Sequence, residues 1–381
     1  MAIRIFLTSD LHLGMKFAGY PEVQAELSEA RFKALERLVM FANQNTCNLF
    51  VIAGDLFDRV TVSKRDVIRA ALLLKDFHGS LVAVLPGNHD FISPGQTDLW
   101  ATFKESAGDR VLILEEKRIY PLAHYDLDGT LYAAPCTSKH SSENAIGWIR
   151  DARADARADA RKDSSVKNHI GVAHGSLEGF SPDFDQRYYP MTPQELMATG
   201  MDLWLLGHTH TQYPSLPGQT DRIFYPGTPE PDGFDCQHEG KAWILDLSGD
   251  RSVTPLSIQT GHHRFLHEEV QIRNSGDLET LKNTYVLPDH RRSLLKARLK
   301  GRLPRGEYPL LAQVRKLLED HLLYLVWNHA DVREEITIDD IHHEFTEGSF
   351  PHTLLTDLSR SGDSEALQIA YELMQELRTK H

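Results

Sequence analysis

Five short polar motifs combine side chains that bind metal ions, and each motif follows directly on an apolar run. In chain order they contribute Asp10 and His12, Asp55, Asn88, His174, and finally His208 with His210. Carboxylate oxygen, amide oxygen and imidazole nitrogen form a mixed donor set that suits Mn²⁺, Fe or Zn²⁺. One Asp-x-His or Gly-His-x-His motif alone is usually a capped turn, but five in order predict one shared metal site.

Seven donors are too many for one ordinary metal ion and about right for two. Asp55 can bridge two ions, and ions about 3.5–4 Å apart stabilise the attacking and leaving oxygens of an in-line displacement. Bound cations also lower the pKa of water. His89, beside Asn88, would face the same pocket and could protonate the leaving oxygen or stabilise the transition state. The motifs therefore predict phosphoester hydrolysis.

The elements that must position these side chains are short apolar strands alternating with helices. The predicted strands are Ile3–Thr8, Leu49–Ala53, Leu81–Leu85, Val111–Leu114, Leu131–Ala134, Ile170–Ala173, Leu203–Leu206, Ile223–Tyr225 and Ala242–Leu247. Helices are predicted at about Val23–Gln44, Ser63–Phe77 and Ser141–Asp163, from apolar residues at helical spacing. Strands alternating with helices favour an α/β sandwich, in which loops at the carboxyl ends of the strands converge.

The five motifs, in this order, resemble the calcineurin-like metallophosphoesterases, whose fold is a double β-sheet sandwich flanked by helices. The resemblance assigns Asp10, His12, Asp55 and His210 to one ion, and Asp55, Asn88, His174 and His208 to the other. It also implies that His89 is the catalytic histidine. Asp90 completes the third motif and is expected to orient a histidine from outside the ligand set.

Several short segments of the sequence are similar to those of the SbcD-type nuclease branch, which comprises bacterial relatives of the meiotic-recombination DNA nuclease. The similar segments are Asp10–Gly14, Gly54–Asp58, Tyr225–Glu230 and, in a capping region, Leu299–Arg302. This resemblance implies a metal-dependent DNA nuclease with two divalent ions, Mn²⁺ foremost and Fe, Zn²⁺ or Mg²⁺ as alternatives. It also implies an SbcC-type ATPase partner in DNA repair and a homodimer, whose surface would include the helices after Ala18 and around Ser63–Phe77.

Length and charge limit the possible architectures and partners. A chain of 381 residues predicts more than one domain. We expect a two-metal domain at 1–260, a smaller α+β capping domain at 261–345, and a C-terminal helical tail at 346–381. A net charge of −13 argues against coating DNA by bulk charge. The widely spaced cysteines, the absence of a long apolar stretch and the N-terminal pattern predict a cytoplasmic protein without disulfides or a membrane span.

The capping region carries a basic stripe, defined as Lys296, Arg298, Lys300 and Arg302. On a strand, Lys296, Arg298 and Lys300 share one face and apolar residues occupy the other. The stripe could bind DNA phosphates without reading sequence. It could equally be a solvated face or a guard against edge pairing. The terminal helix, Asp363–Arg378, could likewise pack its apolar face on its own domain or on a partner.

Two further features of the sequence are interpreted from their composition and surroundings. The repeat Asp151–Arg161 predicts a solvated helix, with partner docking as the alternative. The pairs His262-His263 and His342-His343 are interpreted as surface residues, because neither has a matching third ligand.

The alternatives to a nuclease are a stand-alone phosphodiesterase or phosphatase for a small nucleotide or phospholipid, and a scaffold that stimulates the ATPase. The complete ligand set disfavours the scaffold.

Overall fold

The computed structural model describes residues 3–93, 95, 98–158, 168–218, 220–236 and 238–379. The chain divides into two compact units, Met1–Arg264 and Phe265–His381. The strands of the first unit, in chain order, are β1 (Ile3–Thr8), β2 (Leu49–Ala53), β3 (Leu81–Leu85), β4 (Val111–Ile113), β5 (Ile119–Pro121), β6 (Thr130–Ala134), β7 (His169–His174), β8 (Leu203–Gly207), β9 (Ile223–Phe224), β10 (Lys241–Leu247) and β11 (Val253–Gln259).

These strands form two sheets. One has the order β11-β10-β1-β2-β3-β4 and the other has the order β5-β6-β7-β8-β9. The strands from β1 to β4 are parallel, as are those from β6 to β9. The carboxyl ends within each parallel set therefore point to one edge, where polar loops can gather.

The two sheets pack face to face because successive strand residues point to opposite sides. Ile5, Leu7 and Val51 of one sheet share a buried cluster with Leu131 and Val172 of the other. The outer faces are covered by α1 (Gln24–Gln44), α2 (Lys64–Lys75), α3 (Asp98–Ala107), α4 (Gly147–Ala158) and α5 (Pro193–Ala198), with a short 3-10 turn at Ala123–Tyr125. The first unit is thus a double β-sheet sandwich flanked by helices, which confirms the predicted fold class.

Local capping accounts for where several helices begin. The Ser63 side chain accepts from the Asp66 backbone N–H at the start of α2. Thr192 and Glu195 form a reciprocal capping box at the start of α5. Each of these contacts satisfies backbone N–H groups that the first helical turn leaves without a partner.

Two expectations about polar residues in this unit need correction. Arg153, in the repeat predicted to be solvated, is 4% exposed and lies 3.2 Å from His169 Nε2. Residues 159–161 of the repeat lie outside the described residues. His263 is 2% exposed, not on the surface, with Nδ1 3.0 Å from Glu230 and Nε2 3.4 Å from Glu26. Both residues are buried against partners that are distant in sequence.

The second unit contains a three-stranded sheet and two groups of helices. Its sheet has the order β12 (Arg264–Ile272), β13 (Ser293–Pro304) and β14 (Tyr324–Glu335), packed with α6 (Ser275–Tyr285) and α7 (Leu310–His321). A 3-10 turn lies at Pro288–His290, and α8 (Ile338–Glu344), α9 (Phe350–Ser361) and α10 (Ser364–Thr379) follow. These last helices share a small core around Ile341, Phe345, Leu355 and Leu367.

Two findings concern the cysteines and the helices. Cys47, Cys136 and Cys236 are free and buried, as predicted for a chain without disulfides. Among the residues that the structure describes, no helix has the length and apolar character needed to cross a membrane.

Candidate metal centre

The first unit brings the seven predicted donors together at the carboxyl ends of its parallel strands. Asp10 follows β1, Asp55 follows β2 and Asn88 follows β3, while His174 ends β7 and His208 follows β8. Backbone hydrogen bonds from Asp10 N to the Gly54 oxygen (3.1 Å) and from His12 N to the Asp55 oxygen (3.0 Å) join the first two loops. These hydrogen bonds therefore fix the two loops to each other, and the fixed loops position the donor side chains.

The backbone at this edge is strained in a way that points to function. Four of the predicted donors, none of them glycine, have left-handed φ angles: 55° at Asp10, 47° at His12, 52° at Asp55 and 105° at His208. Such conformations are costly for residues with a Cβ atom and concentrate at active sites. The strain is the local cost of turning each donor sharply inward from its strand.

Glycines beside the donors permit a close approach that no other residue would allow. A Cβ atom on Gly54 would lie 1.9 Å from His174 Nδ1, and one on Gly87 would lie 2.2 Å from Asp55 Oδ1. Both distances are far below van der Waals contact. The Gly-Asp and Gly-Asn motifs therefore contain glycine because the donors of neighbouring loops occupy the space of a side chain.

One group of donors gathers around His12. Its Nε2 lies 3.2 Å from His210 Nε2 and 3.9 Å from Asp55 Oδ2. Asp10 Oδ1 lies 3.9 Å from His210 Nε2. Ligand atoms of Asp10, His12 and His210 all lie within 4.8 Å of one another, which is the spacing that donors around one ion adopt.

A second group gathers around Asn88 Oδ1. His174 Nε2 lies 2.9 Å and His208 Nδ1 lies 3.1 Å from that oxygen. Asp55 Oδ2 lies 3.3 Å from His174 Nε2, so Asp55 stands between the two groups. The backbone N–H of His89 donates to Asp55 Oδ1 (2.8 Å), which orients the carboxylate. Asp55 was predicted to bridge two ions, and its carboxylate lies beside a donor of each group.

The donor set fits a pair of cations. His174 Nδ1 donates to the Ala53 carbonyl (2.8 Å), so in the neutral ring the Nε2 lone pair faces the Asn88 and Asp55 oxygens. Lone pairs that converge in a buried site repel unless a proton or a cation lies between them. Burial alone would lower the pKa of His174, but Asp55 raises it to about 9. Either a proton or a metal ion can supply the positive charge that this cluster of donors needs.

The neighbouring imidazoles are held in the neutral form that binds metals. Burial and then the nearby His174 lower the pKa of His208 to about 3. Burial also lowers the pKa of His12 well below its usual value. Neutral imidazole is the state that ligates a cation, so these two rings are prepared for that role.

Asp90 joins loops instead of orienting a histidine, contrary to the expectation from the sequence. Its Oδ1 accepts from Gly87 N (2.7 Å), and its Oδ2 accepts from Phe57 N (3.0 Å). Burial and the charge of Asp55 raise the pKa of Asp90 to about 7, although the backbone hydrogen bonds oppose this. The carboxyl group therefore fixes the loop that carries Asn88 against the loop that carries Asp55.

His89 lies at the edge of this cluster with one ring nitrogen occupied. Its Nδ1 is 2.9 Å from the Asp58 carbonyl oxygen, which can only accept, so Nδ1 carries a hydrogen. The ring packs edge-on against His12, with centroids 4.7 Å apart. Because Nδ1 is committed to Asp58, proton exchange with a substrate would occur at Nε2.

Two residues beside the site escaped prediction from the sequence. Asp232 Oδ2 lies 3.2 Å from His210 Nδ1 and 3.1 Å from an Arg31 nitrogen. Burial by itself would lower the pKa of His210, but Asp232 raises it to about 9. The available signal was Arg31 itself, a charged residue beside Leu27 and Ala30 on the apolar face of α1.

The basic stripe belongs to the second unit and is only partly available for binding. Lys296 and Arg298 are exposed, and the residues between and beyond them are buried, which confirms the predicted alternation. Arg298 pairs with Asp331 (2.9 Å) and Lys300 pairs with Glu269 (2.9 Å), while Arg302 is half-buried. β13 is the central strand of its sheet, so a guard against edge pairing is not the explanation.

Loading the site with Mn²⁺ should stabilise the protein against heat. At an ion concentration about 100 times the Kd, binding to the folded state alone adds about 2.7 kcal/mol, or roughly 5–10 °C in Tm for a domain of this size. Differential scanning calorimetry of chelator-treated protein, with and without Mn²⁺, measures the shift. Equal melting temperatures would show that the cluster holds no ion.

The comparisons with known proteins agree with this geometry. Residues 3–212 match the family model described as calcineurin-like phosphoesterase. The uncharacterized metallophosphoesterase YhaO of Bacillus subtilis (strain 168) is 30% identical over 234 residues, covering 58% of this chain and 51% of that protein. The chain thus spans about half the length of this curated relative.

Solved structures match this chain at low sequence identity and low TM-score. TT1561 of Thermus thermophilus is 14% identical with a TM-score of 0.40, covering 67% of this chain and 98% of that one. A dimetal phosphatase from Danio rerio is 11% identical with a TM-score of 0.38, covering 68% and 99%. The assignment rests on the family match, which takes in more than half of the chain. This chain therefore belongs to the calcineurin-like phosphoesterase family.

Proposed function

We propose that this protein is a Mn²⁺-dependent phosphodiesterase of the SbcD type that cleaves DNA in the cytoplasm. The observation that carries the proposal is the convergence of Asp10, His12 and His210 in one group and Asn88, His174 and His208 in another, with Asp55 between them. When bound there, two divalent ions would supply Lewis acidity and lower the pKa of water. Manganese suits the mixed oxygen and nitrogen donors.

The protein's own groups would orient the phosphodiester and handle the proton. His89, with Nδ1 committed to the Asp58 carbonyl, would present Nε2 to the leaving oxygen and protonate it. The Asp58 carbonyl supports the protonated ring, because it accepts the Nδ1 hydrogen in both charge states. Asp90 would keep the Asn88 loop in register with Asp55.

DNA is the preferred substrate for two reasons. The segments Asp10–Gly14, Gly54–Asp58 and Tyr225–Glu230 resemble the nuclease branch. The basic stripe also presents cations on one face of β13, the arrangement that contacts a phosphate backbone. A stand-alone phosphodiesterase for a small nucleotide or phospholipid is the second candidate. The ion pairs of Arg298 and Lys300 favour it, because they neutralise part of the stripe.

One assay series distinguishes these candidates. Purified protein with Mn²⁺ would be given linear duplex DNA, single-stranded DNA and a small chromogenic phosphodiester in parallel. Cleavage of both DNA and the small ester would support the nuclease. Turnover of the small ester with neither DNA cut would refute it in favour of the second candidate. An Asp55→Asn sample run beside each substrate excludes a contaminating nuclease.

The triple change Lys296→Gln, Arg298→Gln and Lys300→Gln should weaken DNA binding. Each phosphate contact that is lost should reduce the slope of log K against log salt by about 0.9. We expect a total reduction of about one to three, because two of these cations are already paired with acids. Fluorescence anisotropy over a salt series measures the slope. Arg315→Gln with Lys316→Gln, on α7, is the matched control, and an equal slope in both variants would refute the stripe.

We also propose an SbcC-type ATPase partner and a homodimer. The face of α10 that contains Leu367 and Met374 packs within its own unit, while Ile369, Leu373 and Leu377 form a second stripe that is more than half exposed. An exposed apolar stripe four residues apart suits a partner helix. Co-purification with the ATPase should be lost in Leu373→Glu and kept in Leu216→Glu, which changes an exposed leucine outside the proposed dimer surface. Sedimentation would test the dimer.

A further inference from the structure

His210 is held from both sides of its ring. Nε2 faces the other donors of its group, 3.2 Å from His12 Nε2 and 3.9 Å from Asp10 Oδ1. Nδ1 lies on the other side, 3.2 Å from Asp232 Oδ2. A carboxylate can only accept, so the Asp232 contact requires a hydrogen on Nδ1. In the neutral ring this leaves the Nε2 lone pair facing the donors around His12.

Asp232 is itself held by a buried arginine. Arg31 is 1% exposed, and one of its terminal nitrogens lies 3.1 Å from Asp232 Oδ2. This contact is an ion pair without the alignment of a hydrogen bond. The other terminal nitrogen donates to the Glu230 carbonyl (2.9 Å) and to Thr228 Oγ1 (3.2 Å). The guanidinium therefore fixes the loop from Thr228 to Asp232 against α1.

The same arginine reaches a second candidate donor. Thr228 Oγ1, which accepts from Arg31, lies 2.9 Å from the Asp10 carbonyl oxygen. Asp10 has a left-handed φ of 55°, so its backbone needs support from its surroundings. Arg31 is thus connected to Asp10 through Thr228 and to His210 through Asp232. Both donors belong to the group around His12.

We propose that Asp232, backed by Arg31, is a positioning residue that holds His210 with its Nε2 lone pair directed at the ion of the His12 group. The inference rests on the proposed metal function of these donors. Asp232 would act on one ion of the pair, because its ion pairs join it to His210 and Arg31 and, among the described residues, to no donor of the Asn88 group. A carboxylate behind a ligating histidine fixes the tautomer and typically contributes about 10–100-fold in metal affinity.

Metal titration separates positioning from a general effect on folding. Mn²⁺ would be titrated into metal-free full-length protein by calorimetry, with Asp232→Leu, Asp232→Asn and wild type compared. Asp232→Leu should weaken one of the two ions by about 10–100-fold and leave the other within about twofold. Asp232→Asn should retain more affinity, because its amide oxygen still accepts the Nδ1 hydrogen. Arg31→Gln should weaken the same ion.

Asp235→Asn is the matched control, since Asp235 lines the same small cavity as His210 and Asp232. Its affinity for both ions should equal that of wild type. Equal affinity in Asp232→Leu and wild type would overturn the inference, as would equal weakening of both ions. If Asp232→Leu fails to fold, the test rests on Asp232→Asn alone. That variant must then show weaker binding of one ion and unchanged binding of the other. Wild-type protein that binds two ions but cleaves no phosphodiester would refute the proposed function and leave this test valid.

Discussion

Replacing Asp55 by asparagine should lower phosphodiesterase activity by at least about a thousandfold. This is the largest loss expected from any single change. Asp55 lies between the two donor groups, 3.3 Å from His174 and 3.9 Å from His12. Burial opposes its charge, yet the two histidines hold the pKa of this carboxyl far below its usual value. A neutral amide would bridge two cations far more weakly than a carboxylate. Paired ions would contribute several kcal/mol to catalysis, and each 1.36 kcal/mol corresponds to a tenfold change in rate.

Two quantities would be measured for each variant: kcat by steady-state kinetics, and metal content by atomic absorption. Asp55→Asn should retain less than one ion per chain, while wild type retains two. Asp76→Asn is the matched control, because Asp76 is exposed at the end of α2 and should change neither quantity. A variant that lost both ions and kept its rate would contradict the whole assignment of the site.

Replacing His89 by leucine should lower kcat by about 10²–10⁴-fold, the range for a positioned proton donor. Metal content should stay at the wild-type value, because His89 Nδ1 is committed to the Asp58 carbonyl and both donor groups are complete without this ring. This combination distinguishes His89 from Asp55, whose loss removes both activity and ions. Steady-state kinetics with the chromogenic ester measures the change.

The leaving group offers a sharper test of the same residue. An ester whose leaving group is already a weak base needs little protonation, so the His89→Leu defect should shrink as the pKa of the leaving group falls. His78→Leu, which alters an exposed histidine on a loop of the same unit, should be silent throughout. A defect of constant size across leaving groups would show that His89 stabilises charge without transferring a proton.

The sandwich could be predicted from the sequence because its signals are local. The bounds of β1, β2 and β3 match the predicted strands, since β2 and β3 are continuous apolar runs and β1 is apolar except for Arg4 and Thr8. Parallel strands place their following loops at one edge, so the motif order was enough to predict that the seven donors meet. The edge strand β11 escaped prediction because three polar residues and a proline interrupt its seven residues, so no continuous apolar run marks it.

Only the tertiary structure decided which groups that are far apart in sequence come into contact. The sequence alone determined the donor set, the order of the strands that present it, and the alternation along β13. Folding decided that Asp90 accepts from backbone N–H groups, that His263 is buried between Glu26 and Glu230, and that Arg31 supports Asp232 behind His210. Periodicity records the face on which a side chain lies, whereas the identity of its partner depends on packing between elements.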